Sequence, residues 1–307
     1  MIVFFTLISK ILPLYAIIVL GFVAARKLGA QKETLASLLI YTIAPVVVFY
    51  GVLTAPLTLA YFSLPLIFFA IASILCGIFF VLGKTFYQDD PTKNILAFSA
   101  GAANVGYFGL PMVLVLFGNG ALSIAVLCIT GIILYENTVG FYVTARGHHT
   151  VAQSIGRVVR LPTVYAFLLG ALFNFFRIPL GPDIVAAIGY FKGAYTLLGM
   201  MIVGMGLATV RWASVDMRFI TLAFLAKFVA WPLLITLVIL LDKLVIHAYT
   251  QEIFNVMMLL SVVPLAANAV AFATELKVHP EKTAIAVFLS TLFALVYIPI
   301  IARVFIR

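Results

Sequence analysis

GAANVGYFGLP, residues 101–111, interrupts one long apolar run of this sequence, and PLAANA, residues 264–269, interrupts another. Proline removes a backbone donor and clashes with the preceding helical turn, and glycine weakens a helix locally. Each stretch also contains one asparagine, Asn104 in the first and Asn268 in the second. We therefore expect two helices that open in the middle, each beside a polar side chain.

The chain around these stretches has the composition of an integral membrane protein. Of its 307 residues, 65% are hydrophobic and only 9% are charged, and the mean hydropathy is +1.23. At about 20 apolar residues per crossing helix, this composition suffices for about ten spans, and we expect no soluble domain. Long apolar runs favour helices over the strands of a barrel, in which apolar and polar residues alternate over about ten residues.

Charges, prolines and glycines divide the apolar sequence into ten predicted transmembrane helices. They lie near residues 5–25, 34–54, 61–83, 94–117, 121–143, 161–176, 183–209, 219–241, 253–275 and 283–304. The predicted domains are a first five-helix repeat at 1–143, a cytoplasmic linker at 144–160 and a second repeat at 161–307. The linker contains His148 and His149, which we interpret as solvated residues, since no acid or cysteine lies near enough to complete a metal site.

Basic residues alternate between successive connections. The odd-numbered connections hold 12 Lys and Arg residues, and the even-numbered ones hold only Arg177 and Lys243. Cytoplasmic loops carry an excess of such residues. We therefore expect both chain ends to lie outside, in a multi-pass protein of a bacterial inner membrane.

Five spans per half have a geometric consequence. An odd number of crossings forces two similar halves into opposite orientations, which is the inverted repeat of many secondary transporters. The two interrupted helices are then the fourth and the ninth, at corresponding positions. An opened helix exposes N–H groups that attract anions, and such backbone is tolerated in a membrane only beside protein or a water-filled cavity. The alternative is that both stretches are kinks packed against neighbours, with each asparagine bonded between helices.

The predicted substrate-binding residues are therefore those of the two stretches: Asn104, Gly106, Tyr107, Pro111, Pro264 and Asn268. Lys227 and Glu136 are predicted intramembrane charges with a charge-balancing or coupling role, because a charge at this depth is costly unless paired or hydrated. Both side chains could instead reach an interface.

Several function classes have no support in the sequence. The net charge of +9 is spread singly or in pairs between apolar runs, so nucleic acid is not an expected partner. No phosphate-binding loop, HExxH motif or CxxC pair is present. One intramembrane Glu and one Lys do not make a catalytic constellation, so we expect no enzyme, no metal and no cofactor, and no sensor either, since no residues remain for a signalling domain.

The chain resembles the auxin efflux carrier family, which includes bacterial malonate-type transporters and the plant PIN carriers. The resemblance rests on Leu12-Pro13, Gly21-Phe22, the 101–111 stretch followed by Phe117-Gly118, Lys227 before Pro232, Pro264 with Asn268, Ser290-Thr291 and Pro299. It implies ten transmembrane helices as two inverted five-helix repeats with broken crossover helices 4 and 9, as in the bile-acid/sodium symporter fold. It also implies a scaffold of spans 1, 2, 6 and 7, a bundle of spans 3–5 and 8–10 that moves as an elevator, and in many members a homodimer.

The sequence thus predicts a secondary transporter of a small organic anion, a mono- or dicarboxylate, working by efflux or uniport. The alternative is a proton- or sodium-coupled carboxylate symporter. Dependence of uptake on a sodium or pH gradient distinguishes the two.

Overall fold

The computed structural model describes residues 2–145, 160–208, 215–275 and 277–305, and all regular structure within them is helical. The helices are α1 (Ile2–Leu28), α2 (Lys32–Leu53), α3 (Leu59–Tyr87), α4 (Thr92–Gly101), α5 (Leu110–Phe117), α6 (Asn119–Thr144), α7 (Pro162–Phe175), α8 (Pro182–Ala208), α9 (Met217–Ile246), α10 (Gln251–Ser261), α11 (Asn268–Glu275) and α12 (Pro280–Phe305). The predicted linker histidines, His148 and His149, lie outside the described residues.

Local sequence explains where several helices begin. Prolines open α7, α8 and α12, where the missing N–H would have no helical partner anyway. Asp216 caps α9 by accepting a hydrogen bond from the Phe219 N–H at 3.0 Å, and Thr250 caps α10 in the same way. A cap satisfies a backbone donor that the first turn leaves unpaired.

Seven helical segments within the described residues are long and apolar enough to cross a membrane. They are Lys32–Leu53, Leu59–Tyr87, Thr92–Phe117, Asn119–Thr144, Pro182–Ala208, Met217–Ile246 and Pro280–Arg303. Helix α7 is apolar but shorter, as predicted for the sixth span. The prediction of an all-helical membrane protein is confirmed, and the ten crossings with inverted repeats stay a prediction.

The chain divides into two compact units. The first comprises residues 1–64, 106–127 and 159–209, and the second residues 65–105, 128–158 and 210–307. Each unit takes segments from both halves of the sequence, so the units are not the two predicted repeats, and that repeat division stays a prediction.

In the first unit, glycines allow close approach of helices. A Cβ at Gly204 of α8 would overlap the Ile18 carbonyl of α1, and a Cβ at Gly51 of α2 would press against the Val126 side chain. The predicted spans 1, 2, 6 and 7 lie in this unit, as the family scaffold implies. Residues 106–127, from spans 4 and 5, also belong to it, although the resemblance assigned both spans to the bundle.

The second unit contains most of α3, all of α4, the later part of α6, and α9 to α12. Its core is aromatic around α4, where the Phe98 and Phe272 rings lie 4.9 Å apart. At Gly101, the last residue of α4, a Cβ would overlap the Ala72 carbonyl and the Tyr135 ring. The end of α4 is therefore held tightly by α3 and α6. The two cysteines, Cys76 and Cys128, are buried and unbonded to each other.

Candidate functional site at two helix breaks

The first break interrupts the predicted fourth span. Helix α4 ends at Gly101, Ala102 is extended, and the chain resumes as a π-helical turn, Val105–Gly109, that leads into α5. An opened helix in a membrane needs partners for its freed carbonyls. The Tyr135 hydroxyl donates to the Phe98 carbonyl at 3.0 Å, and the Trp231 indole N–H donates to the Ala100 carbonyl at 2.9 Å. The carbonyl end of α4 is thus covered by protein side chains.

The second break interrupts the predicted ninth span. Helix α10 ends at Ser261 and helix α11 begins at Asn268, with non-helical backbone between them. The Leu265 N–H, freed by this break, donates to the hydroxyl of Ser290 at 3.1 Å. Because Ser290 is fully buried on α12, it provides the acceptor that water cannot supply there.

The two breaks meet in the second unit. The Asn104 N–H donates to the Pro264 carbonyl at 2.9 Å, which joins the unwound backbone of one break to that of the other. Both residues are buried, Asn104 with 4% of its surface exposed. The 101–111 and 264–269 stretches are therefore adjacent in space, although residues 104 and 264 are far apart in the chain.

Asn268 brings an acid into this region. Its amide Nδ2 donates to Glu136 Oε2 at 3.1 Å. Glu136 is only 4% exposed and opens a π-helical turn, Glu136–Gly140, within α6. Among the described residues it has no ion-pair partner. The interpretation that Glu136 extends to an interface does not fit its burial, and its part in coupling stays a prediction.

Lys227 is fully buried and lies in the π-helical turn Leu225–Ala230 within α9. Its Nζ sits 4.7 Å from the centroid of the Trp231 ring and has no hydrogen-bond partner in the described part of the chain. Trp231 in turn binds the end of α4, two residues before the first break. The ammonium group does not reach the protein surface, and a buried ammonium is costly unless a ring or a ligand offsets its charge. The charge-balancing role of Lys227 stays a prediction.

The other predicted binding residues, Gly106, Tyr107 and Pro111, belong to the first unit. Tyr107 is buried, and its backbone packs on Gly199 of α8. A Cβ at Gly106 would lie 3.2 Å from the hydroxyl of Tyr195, so this tyrosine restricts the space beside Gly106. Pro111 is buried in the first turn of α5.

Three residues that hold the breaks together were not predicted to do so: Tyr135, Trp231 and Ser290. Each is a hydrogen-bonding side chain inside an apolar span, which is the signal that could have found them, because such groups usually find a partner when buried. A second signal is the π-helical turn. Such turns occur often at functional sites, and here they contain Glu136, Lys227 and the Val105–Gly109 stretch.

Within the described residues, no group of three or more His, Cys, Asp or Glu side chains could hold a metal ion. The groups at and beside the two breaks are amides, unwound backbone, the buried carboxyl group of Glu136 and the buried amine of Lys227. An all-helical membrane protein with two helix breaks in contact is typical of a secondary transporter.

Comparison with known proteins agrees with this class. Residues 6–156 match the family model described as membrane transport protein. Over 206 residues, 67% of this chain, the sequence is 27% identical to an uncharacterized transporter of Methanothermobacter thermautotrophicus, and the match covers 66% of that relative.

The part of the chain that carries the first helix break is therefore similar to this membrane transport family, which includes the auxin efflux and PIN-like carriers. The resemblance predicted from the sequence is confirmed. The protein is an integral, multi-pass membrane protein.

Proposed function

We propose that this protein is a secondary transporter of a small organic anion, a mono- or dicarboxylate, that works by efflux or uniport. The observation that carries the proposal is the contact of the two breaks through the Asn104 N–H and the Pro264 carbonyl. Asn104 and Asn268 would bind the carboxylate, with the elevator-type alternating access that the family resemblance implies.

The helix ends at the breaks support an anion as the substrate. The carbonyl end of α4, which carries partial negative charge, is covered by the Tyr135 hydroxyl and the Trp231 indole. The amino-terminal end of α11, which carries partial positive charge, begins at Asn268 within the second break. Asn268 is only half buried, whereas Asn104 is 4% exposed, so Asn268 is the more accessible of the two asparagines.

An anion moving outward needs no coupled ion in an energised cell. Moving one charge through about 100 mV is worth about 2.3 kcal/mol, so an inside-negative potential alone favours expulsion of a carboxylate. Lys227 would balance the substrate charge in the membrane. We also propose that both chain termini lie outside the cell and that the protein forms a homodimer.

Proton-coupled symport is the second candidate, and one observation favours it over sodium coupling. Glu136 is a buried carboxyl group bonded to Asn268, without an ion-pair partner among the described residues. Such a group can take up a proton as the carboxylate binds and release it afterwards.

Flux measurements on purified protein in proteoliposomes test the proposal, with radiolabelled malonate and acetate as probes. We expect Asn104→Ala and Asn268→Ala each to lower flux by about tenfold or more, since each removes a hydrogen bond to a charged ligand. Asn119→Ala, a change at an exposed asparagine, is the matched control and should transport normally. Undiminished flux of both probes in the two site variants would contradict the proposal.

Imposed gradients separate the two candidates. A uniporter should respond to membrane potential and to the carboxylate gradient alone. A proton-coupled symporter should be accelerated by a pH gradient, and Glu136→Gln should remove that acceleration because the amide cannot titrate.

A further inference from the structure

A cavity of about 620 Å³ lies in the second unit, away from the helix breaks in the sequence. Its lining residues lie at the ends of three membrane-spanning helices. These ends are Tyr87 of α3, Met217 of α9 and the first turn of α12 near Lys282. The predicted orientation puts all three helix ends on the cytoplasmic side, because they flank odd-numbered connections.

The one carboxylate in the cavity wall is already occupied. Asp216 accepts from Lys282 Nζ at 3.1 Å, from the Tyr87 hydroxyl at 3.2 Å and from the Phe219 N–H at 3.0 Å. Burial acts to raise the pKa of Asp216, but these donors outweigh it and hold the pKa below its ordinary value. The carboxylate therefore stays charged and offsets the charge of Lys282.

Arg218 is left as the uncompensated charge of the cavity. Its side chain is exposed, and within the described ranges no hydrogen-bond or ion-pair partner contacts its guanidinium group. A guanidinium presents five N–H donors and no acceptor. Lys282 also donates to the Thr92 hydroxyl at 3.2 Å, which leaves a third ammonium N–H for a ligand.

The remaining wall is apolar and open. Phe86, Val215 and Met217 line the cavity and are 46%, 49% and 64% exposed. Apolar side chains beside two cationic groups, at the level where spanning helices end, match the boundary between lipid headgroups and acyl chains. Basic pockets between transmembrane helices on the cytoplasmic side bind anionic headgroups.

We propose that this cavity binds the phosphate group of an anionic phospholipid. The Arg218 guanidinium would bind two phosphate oxygens, which its planar fork fits, and the free N–H of Lys282 would bind a third. Phe86, Val215 and Met217 would contact the glycerol and the upper acyl chain. This binding does not depend on the transport proposal, since none of these residues belongs to the helix breaks.

Native mass spectrometry of the purified full chain with added lipid tests the assignment. Dihexanoyl phosphatidylglycerol is the anionic probe, dihexanoyl phosphatidylcholine the zwitterionic probe, and glycerol 3-phosphate the soluble phosphate. We expect phosphatidylglycerol to bind in preference to the other two. Arg218→Gln should weaken its binding by about tenfold, the effect of losing a hydrogen bond between charged groups.

Two further variants make the result specific. Arg218→Lys keeps the charge but loses the planar, forked guanidinium group. Its affinity for phosphatidylglycerol should lie between those of wild type and Arg218→Gln. Arg26→Gln changes an exposed arginine of α1 and should bind lipid as wild type does. Equal phosphatidylglycerol binding by wild type and Arg218→Gln would overturn the proposal, and so would glycerol 3-phosphate binding as tightly as the lipid.

Discussion

The two helix breaks look alike in sequence but form different hydrogen bonds. The first spans three residues, and its asparagine contributes a backbone N–H to the other break. The second is longer, contributes a backbone carbonyl at Pro264, and directs the side chain of Asn268 to Glu136. The first break is therefore held by backbone hydrogen bonds and close packing, and the second is bonded to the titratable carboxyl group of Glu136. Similar motifs in the two halves do not have equal roles.

The close packing at the end of α4, beside the first break, predicts the largest effect. Gly101→Ala would place a Cβ against the Ala72 carbonyl and the Tyr135 ring, and overpacking of this kind typically costs about 1–3 kcal/mol. We expect a loss of free energy of unfolding at the upper end of that range, measured by denaturation in detergent micelles. Gly77→Ala on α3, where no atom lies within 4 Å, is the control and should be neutral or stabilising. Equal stability of the two variants would show that the first break is not tightly packed.

The asymmetry of the asparagines predicts the next effect. Asn268→Ala leaves the buried Glu136 carboxyl without the Asn268 amide, which should cost about 1–3 kcal/mol of unfolding free energy. Asn104→Ala keeps the backbone bond to Pro264 and should cost less. Combining Asn268→Ala with Glu136→Ala should cost less than the sum of the single changes, because the two residues are in contact. A larger loss for Asn104→Ala would reverse the roles assigned to the two breaks.

Capping of the α4 carbonyls predicts a smaller effect. Tyr135→Phe removes the hydroxyl that donates to the Phe98 carbonyl, and the expected cost is about 1 kcal/mol. The matched control is Tyr190→Phe, since the Tyr190 side chain is 80% exposed. Thermal unfolding followed by circular dichroism can compare the two. If both changes are neutral, the hydroxyl does not hold the break.

The hydrogen bonds that Asp216 accepts at the start of α9 predict the smallest effect. The pKa of Asp216 is lowered in the folded protein, so its contribution to stability is present above the unfolded value and is lost as pH falls through the folded value. We expect stability to decline below about pH 4 by less than about 1 kcal/mol, since surface ion pairs are worth little. Asp216→Asn should flatten this part of the pH profile, and an unchanged profile would show that Asp216 does not contribute to it.

Local patterns in the sequence predicted the membrane helices and both breaks, because proline, glycine and charge act on the few residues around them. They did not predict the bonds between distant residues. Glu136 and Asn268 are 132 residues apart, and Trp231 and Ala100 are 131 apart, so each pairing depends on how the helices pack. Apolar sequence also does not show where a helix widens into a π turn, and such turns are where Glu136 and Lys227 lie.

The site assignment depends on the two breaks holding one ligand together. A double-mutant cycle on carboxylate affinity tests this directly, with malonate binding measured calorimetrically for wild type, Asn104→Ala, Asn268→Ala and the double variant. If both asparagines bind the same carboxylate, their effects should be coupled by about 0.5–3 kcal/mol. Strictly additive effects, or malonate affinity unchanged in the double variant, would contradict the shared site.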